Sequence, residues 1–478
     1  MDLARLSIDF QPAAEAAVGI AAVVFANGLL QNAIFLFQLL VAYRVLHRRM
    51  VAPNRLTAWW MLNQQTMPIS LLAPAYNEEA TIVESIKSLL ALHYPNFEVI
   101  VINDGSRDST LATLIEAFGL TPVERAFDLA VPHKTIRGLY AGPRYPRLLV
   151  LDKENGGKAD ALNAGINLSR CPLFCAVDAD SLLESDSLLR AVQPFIEAPD
   201  RVVAVGGTIR IANGSVVRSG RLVSIGVPTD LIGLFQIVEY LRAFLMARLA
   251  WAEMGAAMLI SGAFGIFRRQ AALTVGGYSH GTVGEDMEII VKLHRHFREK
   301  GLPYEVRFVP EPVCWTEAPS SWRVLARQRM RWQRGSLETF FKHRRMLFNP
   351  RYGIAGMVGY PFVLISDVLG PPLEALGYLL MPLLWATGVL SWEFFLAYLA
   401  LSFVFGVFIS VGSLVLEEIE LRRFPEPRHL ALLMMAAVLE NFGYRQINNF
   451  WRIAGWWQFL RRQESWGRME RAGFAKAR

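Results

Sequence analysis

The sequence predicts a mostly parallel, doubly wound α/β domain joined to an α-helical membrane region. Two observations carry that fold class. Between about Pro68 and Trp315 short apolar runs alternate with amphipathic stretches, a β-α-β-α order that suits a parallel sheet with helices on both faces. Outside that stretch the apolar residues come in long blocks. Hydrophobic residues make up 53% of the chain and charged residues only 19%, which sets it apart from a typical soluble enzyme.

The elements follow in chain order. Residues from about Val18 to Ala42 hold no charge and are long enough to cross a bilayer. The run lacks a basic leading region and a small-residue cleavage site, so it reads as a retained helix rather than a signal peptide. Arg44, His47, Arg48, Arg49 and Arg55 follow it, whereas Asp2, Asp9 and Glu15 precede it against Arg5. This asymmetry puts the amino terminus outside and the next domain in the cytoplasm. SLLAP, FEVIVIND, RLLVLD and PLFCAVD read as buried strands, with EEATIVESIKSLLAL, DSTLATLIEAF, KADALNAGINL and SDSLLRAVQPFI as the helices. Ligands gather beyond the carboxyl ends of such strands, so Asn77, Asp104, Glu154 and Asp178 should share one crevice. The Pro/Gly/basic-rich stretch from about Ala126 to Pro146 reads as a surface excursion. Ile232 to Trp251 reads as an amphipathic helix, at the membrane boundary or in the core, and SGAFGIFRR as loop and strand.

After Ser320, a helix cap by its position, the chain is basic, aromatic and helical in period, which fits a helix on the membrane interface. Apolar blocks at about 354–370, 373–390, 393–416 and 429–447 read as four more spans, five in all. Glu374, Glu440, Asn441 and Arg445 lie within or near them; such groups usually face a bundle interior or a wet cavity, and Glu440 equally suits an interfacial helix end. The net charge of +7 gathers around Arg323 to Arg351 and after Arg461, which suits an anionic lipid surface; no nucleic-acid motif is present. Cys171, Cys175 and Cys314 have neither a disulfide nor a zinc pattern and read as buried thiols. His294 and His296 read as surface residues.

The chemistry lies in an ordered set of short motifs. In APAYNEE, Asn77, Glu78 and Glu79 open a helix; capping and recognition of ribose or a base edge are both open to them. Asp104 in NDGS is turn chemistry or a contact to a base. ENGGKADALN puts two glycines and Lys158 at a helix start, a phosphate-friendly terminus without P-loop spacing. AVDAD places Asp178 and Asp180 on one side of an extended chain, where two carboxylates suit Mg²⁺ or Mn²⁺. VGED offers Glu285 and Asp286 at a helix start, bland dipole partners or a general base. Last comes QRMRW, in which Gln328 and Arg331 present polar groups and Trp332 a flat face for a sugar ring.

That order resembles the processive family 2 glycosyltransferases, the group of cellulose, chitin, hyaluronan and bacterial poly-N-acetylglucosamine synthases. The resemblance covers about Pro68 to Gly335 and, less specifically, the membrane helices. It implies a GT-A-type, Rossmann-like catalytic domain plus an α-helical transmembrane region. The boundaries become 1–50 for the first membrane helix and its basic flank, 51–319 for the cytoplasmic GT-A domain, 320–352 for the interfacial helices with QRMRW, and 353–478 for the trailing membrane helices and tail. By the resemblance, Ala75, Tyr76, Glu78 and Asp104 hold the uridine. Lys158 and Asp178 lie near the nucleotide and donor sugar, and Asp180, with Asp178 beside it, ligates Mg²⁺ or Mn²⁺. Asp286 is the base, Gln328 belongs to the signature, Arg331 faces the diphosphate and Trp332 lies under the acceptor. The partners implied are a UDP-sugar donor, a growing polysaccharide, the bilayer of an inner or plasma membrane and a small accessory membrane subunit, with no nucleic acid. The expected activity is inverting polymerisation of a UDP-sugar into a β-linked polysaccharide that crosses the membrane. No FxVTxK gating segment is present, there is no room for a PilZ domain, and SGAFGIFRR looks like the acceptor side of amino-sugar polymerases. These departures favour UDP-N-acetylglucosamine over UDP-glucose. Transfer of one sugar to a lipid, and a catalytically dead glycan transporter or binding protein, are the alternatives; the intact acidic set weighs against the second.

Overall fold

The computed structural model describes residues 11–51, 66–179, 181–218, 221–421 and 426–462. Twelve strands follow in chain order: β1 (Ile69–Ala75), β2 (Phe97–Asp104), β3 (Thr121–Pro122), β4 (Ile136–Ala141), β5 (Leu148–Lys153), β6 (Leu173–Val177), β7 (Leu182–Leu183), β8 (Val202–Ile211), β9 (Val216–Arg218), β10 (Arg221–Ser224), β11 (Phe264–Arg268) and β12 (Glu305–Thr316). Ten of them form one sheet in the order β3-β4-β5-β2-β1-β6-β11-β8-β12-β7. The four strands expected from the apolar runs are β1, β2, β5 and β6, and they pair in parallel. Leu71, Leu72, Val101, Val150 and Leu151 are sealed on both faces, which is why these strands read as unbroken apolar runs rather than alternating ones.

The sheet is more mixed than the sequence suggested. β11 runs antiparallel to both β6 and β8, while β8 and β12 pair in parallel. The expected surface excursion contains a strand, β4, antiparallel both to β5 and to the two-residue edge strand β3. The β4 residues IRGLYA are mostly half-buried and so carry little apolar signal.

Among the described residues two helices are long and apolar enough to cross a membrane: Glu15–Arg48 and Trp392–Ile419. A third span is reached if the pair Ala355–Val368 and Gly370–Ala386, bent by 42°, counts as one. Five spans were expected; among the described residues two or three meet this test of length and composition. Blocks 354–370 and 373–390 belong to that single bent pair. Block 429–447 is split, because helix Pro427–Leu439 stops after 13 residues and the chain turns at Gly443, whose φ is 101°. Helix Tyr444–Leu460 then lies along helix Trp322–Lys342, with Gly455 so close that an added Cβ would stand 2.8 Å from the Met330 carbonyl oxygen.

Pro371 and Pro372 explain the bend. Neither has an N–H, so the carbonyls four residues back, Asp367 and Val368, lose their helical donors. Other elements supply them: Gln333 Nε2 donates to Asp367 O, and Trp456 Nε1 donates to Val368 O at 3.1 Å. Arg452 adds a bond to Ser366 O at 2.9 Å and Asn449 one to Pro371 O at 3.1 Å. Glu440 is buried and takes Arg242 and Ser410 as partners, the bundle-interior reading of the two. Cys175 and Cys314 are buried as expected, and Cys171 is half-buried.

His294, expected at the surface, is buried on helix Glu285–Glu299. Its Nε2–H donates to the Ala257 carbonyl at 2.7 Å, and the Tyr304 hydroxyl donates to Nδ1 at 2.7 Å, which fixes the neutral ring. His296 is half-buried. Burial pushes the His294 pKa down from 6.5 to about 4. The unfolded chain binds a proton that the folded chain refuses, so stability is intact above pH 6.5 and falls between there and pH 4, by about 3 kcal/mol for this group. Denaturation midpoints of the detergent-solubilised protein across that range should show the loss. His294→Gln should lack that part of the slope; an unchanged slope would show that His294 does not carry it.

Candidate active site

The tips of β1 and β2 are tied to each other. Ala75 ends β1 and is buried, Tyr76 is exposed, and Asn77 takes a left-handed φ of 57°. The Asn77 and Glu78 amides donate to Ser106 Oγ at 3.0 Å and Thr110 Oγ1 at 2.9 Å, while Asn77 Oδ1 accepts from the Arg107 amide at 2.9 Å. The helix therefore starts at Ile82 and not at Asn77. Glu78 accepts from the Thr81 hydroxyl at 3.0 Å. Glu79 does cap a helix, but the neighbouring one: its carboxylate accepts from the amide of Ser109, the residue preceding Thr110–Phe118.

Asp104 is buried at the end of β2. Oδ1 accepts from Lys153 Nζ at 2.6 Å and the Gly156 amide at 3.0 Å; Oδ2 accepts from Asn155 Nδ2 at 3.2 Å and the Gly157 amide at 2.7 Å. A carboxylate has about four acceptor positions, so these donors use its capacity. Lys153 is fully buried and also pairs with Asp160 on helix Lys158–Leu168. An isolated buried ammonium would be costly, and the two carboxylates offset that cost. Asp104 thus shapes the loop 155–157 that launches this helix, with Gly157 in the left-handed region at φ 87°.

Lys158, first in that helix, pairs with Asp178 just past β6 and reaches the Gly262 carbonyl at 3.3 Å. The Gly262 amide donates to Asp286 Oδ2 at 3.2 Å, and Asp286 Oδ1 accepts from the Met287 amide at 2.9 Å. One glycine therefore bridges the two halves: a Cβ there would stand 2.7 Å from Lys158 Nζ. Burial works against the Lys158 ammonium, but Asp178, Glu285 and Asp286 outweigh it and its pKa is raised. Burial lifts the Glu285 carboxyl above its usual range, with Lys158 opposing and Asp286 adding to the shift.

Helix Trp322–Lys342 carries QRMRW and is capped by Ser321, one residue beyond the expected Ser320; its side chain accepts from the Val324 amide. Gln328, Arg331 and Trp332 sit at i, i+3 and i+4 and face one side. They line a cavity of about 730 Å³ together with Lys158, Asp178 and Asp286. The cavity continues to Ser336, Asp367 and Arg452, beside the proline-broken helix. The close approach depends on Gly284 and Gly335, whose backbones touch: a Cβ on Gly335 would stand 2.8 Å from the Gly284 Cα.

Six of the eleven expected site residues thus meet in one cavity. Ala75, Tyr76, Glu78 and Asp104 stand at the tips of β1 and β2 instead and do not line it. Asp180 lies outside the described residues. Asp178 is part-exposed at the cavity edge, and among the described residues no cluster of three or more His, Cys, Asp or Glu is arranged for a metal. Asp178 offers one carboxylate there, and Mg²⁺ or Mn²⁺ takes one or two and completes its shell with phosphate oxygens and water. Sequence reasoning missed Glu239, Arg248 and Arg329, which also line the cavity, and Lys153 behind it. Charged residues inside apolar stretches were the available signal for Glu239, Arg248 and Lys153.

Residues 173–444, more than half of the chain, match the model described as glycosyl transferase family group 2, and residues 70–131 match glycosyl transferase family 2. The chain belongs to glycosyl transferase family group 2. Its similar curated relatives include the poly-beta-1,6-N-acetyl-D-glucosamine synthase of Staphylococcus epidermidis, 30% identical over 60% of this chain and 59% of the relative. The synthase of the same name from Staphylococcus aureus strain COL is 28% identical over 57% of this chain and 56% of the relative. The matched stretch is thus less than two thirds of either relative. Among solved structures, the mannosyltransferase PcManGT from Pyrobaculum calidifontis, in complex with GDP-Man and Mn²⁺, aligns with a TM-score of 0.50 at 17% identity. It covers 88% of this chain and 99% of that one. The GT-A-type fold of this family 2 glycosyltransferase agrees with that likeness.

Gly335→Val should push the two site helices apart and destabilise the protein by roughly 1–3 kcal/mol, the usual range for overpacking. Thermal unfolding in detergent checks this, and an unchanged midpoint would mean the contact is slack.

Proposed function

We propose that the chain is a membrane-embedded, inverting, processive transferase that polymerises UDP-N-acetylglucosamine into a β-linked polysaccharide and passes it across the membrane. The observation that carries this reading is that one cavity is lined by Lys158, Asp178, Asp286 and Trp332 and also by Asp367 of the bent apolar pair. The names of the Staphylococcus relatives support the choice of sugar. The catalytic domain faces the cytoplasm, where UDP-sugars are made.

In this reading the donor lies across the strand tips. Tyr76, with Ala75 and Glu78 in the same turn, borders the uridine, and Asp104 acts by holding loop 155–157 in place. Lys158 and Arg331 hold the diphosphate, whose negative charge grows as the glycosidic bond breaks. Asp178 and Asp180 would hold Mg²⁺ or Mn²⁺, which supplies further charge stabilisation to the leaving diphosphate. Trp332 lies under the acceptor sugar and Gln328 borders it. Asp286, fixed by the Gly262 and Met287 amides, takes the proton from the acceptor hydroxyl as its oxygen attacks the anomeric carbon opposite UDP. An α-linked donor thereby gives a β-linked product. The lengthened chain then leaves past Ser336 and Asp367, and a small accessory membrane subunit is a partner compatible with this arrangement.

Detergent-purified protein given Mg²⁺ or Mn²⁺ and a panel of UDP-sugars should release UDP and form a high-mass product. A lipid-soluble monosaccharide adduct alone would sink the polymerase reading. Asp286→Asn should lower turnover at least about a hundredfold, the scale of lost general-base catalysis, with UDP affinity largely kept. Near-normal turnover would remove Asp286 as the base. Asp180→Ala should abolish the metal dependence of donor binding, and its persistence would free Asp180 of that role.

A further inference from the structure

Trp332 is 43% exposed, yet its indole is backed on one side. Arg329, three residues earlier on the same helix, places its guanidinium carbon 4.4 Å from the Trp332 ring centroid. Arg329 is itself buried, and its Nη2 donates to Glu239 Oε2 at 2.7 Å. The same oxygen accepts from the Tyr444 hydroxyl at 2.9 Å. Tyr444 begins helix Tyr444–Leu460, and its ring centroid lies 5.0 Å from that of Phe235 and 6.0 Å from that of Trp322. A chain of contacts therefore runs from the helix that follows the membrane segments to the indole in the cavity.

We propose that Arg329 is a positioning residue for the acceptor: its guanidinium, anchored by Glu239 and Tyr444, covers one face of the Trp332 indole and leaves the other face for a sugar ring. This inference rests on the reading of the cavity as a sugar-transfer site. An indole open on both faces would take a sugar in two placements, and only one can present its hydroxyl to Asp286. Attack requires that oxygen within a narrow range of distance and angle, so closing one face raises the fraction of productive encounters. Arginine suits the task because it is flat, stays charged and still pairs through its edge while stacked through its face. Glu239 lies on helix Leu231–Tyr240, directly before the π-helical segment Leu241–Arg248. Arg242 in that segment pairs with Glu440 and donates to Ser410 of helix Trp392–Ile419, so the anchor is itself tied to a helix of membrane-spanning length.

The full chain in lipid nanodiscs, with UDP-N-acetylglucosamine as donor and a β-linked N-acetylglucosamine pentasaccharide as acceptor, provides the test. Arg329→Met and Glu239→Gln should each raise the acceptor KM roughly tenfold, the scale of a desolvated cation–aromatic contact, while donor KM and UDP affinity stay within about twofold. Arg329→Lys should recover part of the loss. Calorimetric titration with the pentasaccharide needs no turnover and should show the same order of affinities. Unchanged acceptor affinity in Arg329→Met, or equal losses of acceptor and UDP affinity in both variants, would overturn the proposal. So would a wild-type chain that does not bind the pentasaccharide. A wild type that binds it but turns over no UDP-sugar would remove the transfer reading, and the affinity order would still decide the role of Arg329.

Discussion

Gly284 and Gly335 meet backbone to backbone, and the arrangement of the site follows from that contact. Gly284 directly precedes Glu285 and Asp286, and Gly335 lies three residues past Trp332. Bringing the two main chains together sets how far the candidate base stands from the aromatic floor. Neighbouring bonds hold the contact in register: Glu338 accepts from the Thr282 hydroxyl at 2.9 Å and the Val283 amide at 3.0 Å. One turn further along, buried Glu288 takes Lys342 at 2.8 Å and His343 at 3.1 Å. Side chains adapt by changing rotamer, but backbones in contact cannot, which makes this spacing a fixed dimension of the molecule.

What the sequence could reveal depended on whether a signal was local. The strand tips were legible because a run buried on both faces ends abruptly at its first charged or polar residue, as at Asp104 and Asp178. β8 and β12 were harder to see: β8 carries Gly206 and Gly207, and β12 carries Pro310 and Pro312 with shifts of register. Gly207 answers a neighbour, since a Cβ there would stand 2.3 Å from a Val313 methyl. His294 was misplaced for a similar reason. Its helix looks amphipathic from within, but the Ala257 carbonyl that claims the ring comes from a distant loop.

Among the described residues, fewer helices of membrane-spanning length occur than the apolar blocks suggested, because hydropathy measures composition and not continuity. The blocks around Pro371 and Pro372 are equally apolar, yet they form one bent pair. Block 429–447 is apolar enough to suggest a span, but the turn before Tyr444 diverts the chain onto the signature helix. Among the signature residues the pattern identified Gln328, Arg331 and Trp332, and it was silent on Arg329. The importance of Arg329 depends on Glu239, 90 residues away in sequence, which no local spacing discloses.

The two prolines have a consequence for how the molecule is made. The carbonyls of Asp367 and Val368 have no donors within their own helix, a cost the segment cannot relieve by itself. Their donors, Gln333 and Trp456, come from one helix synthesised earlier and one synthesised later. The bonds of the bent pair are therefore complete only when the signature helix and helix Tyr444–Leu460 are both in place. A chain that ends before Trp456 therefore lacks the side-chain donor to the Val368 carbonyl, and the proline bend keeps that group unpaired.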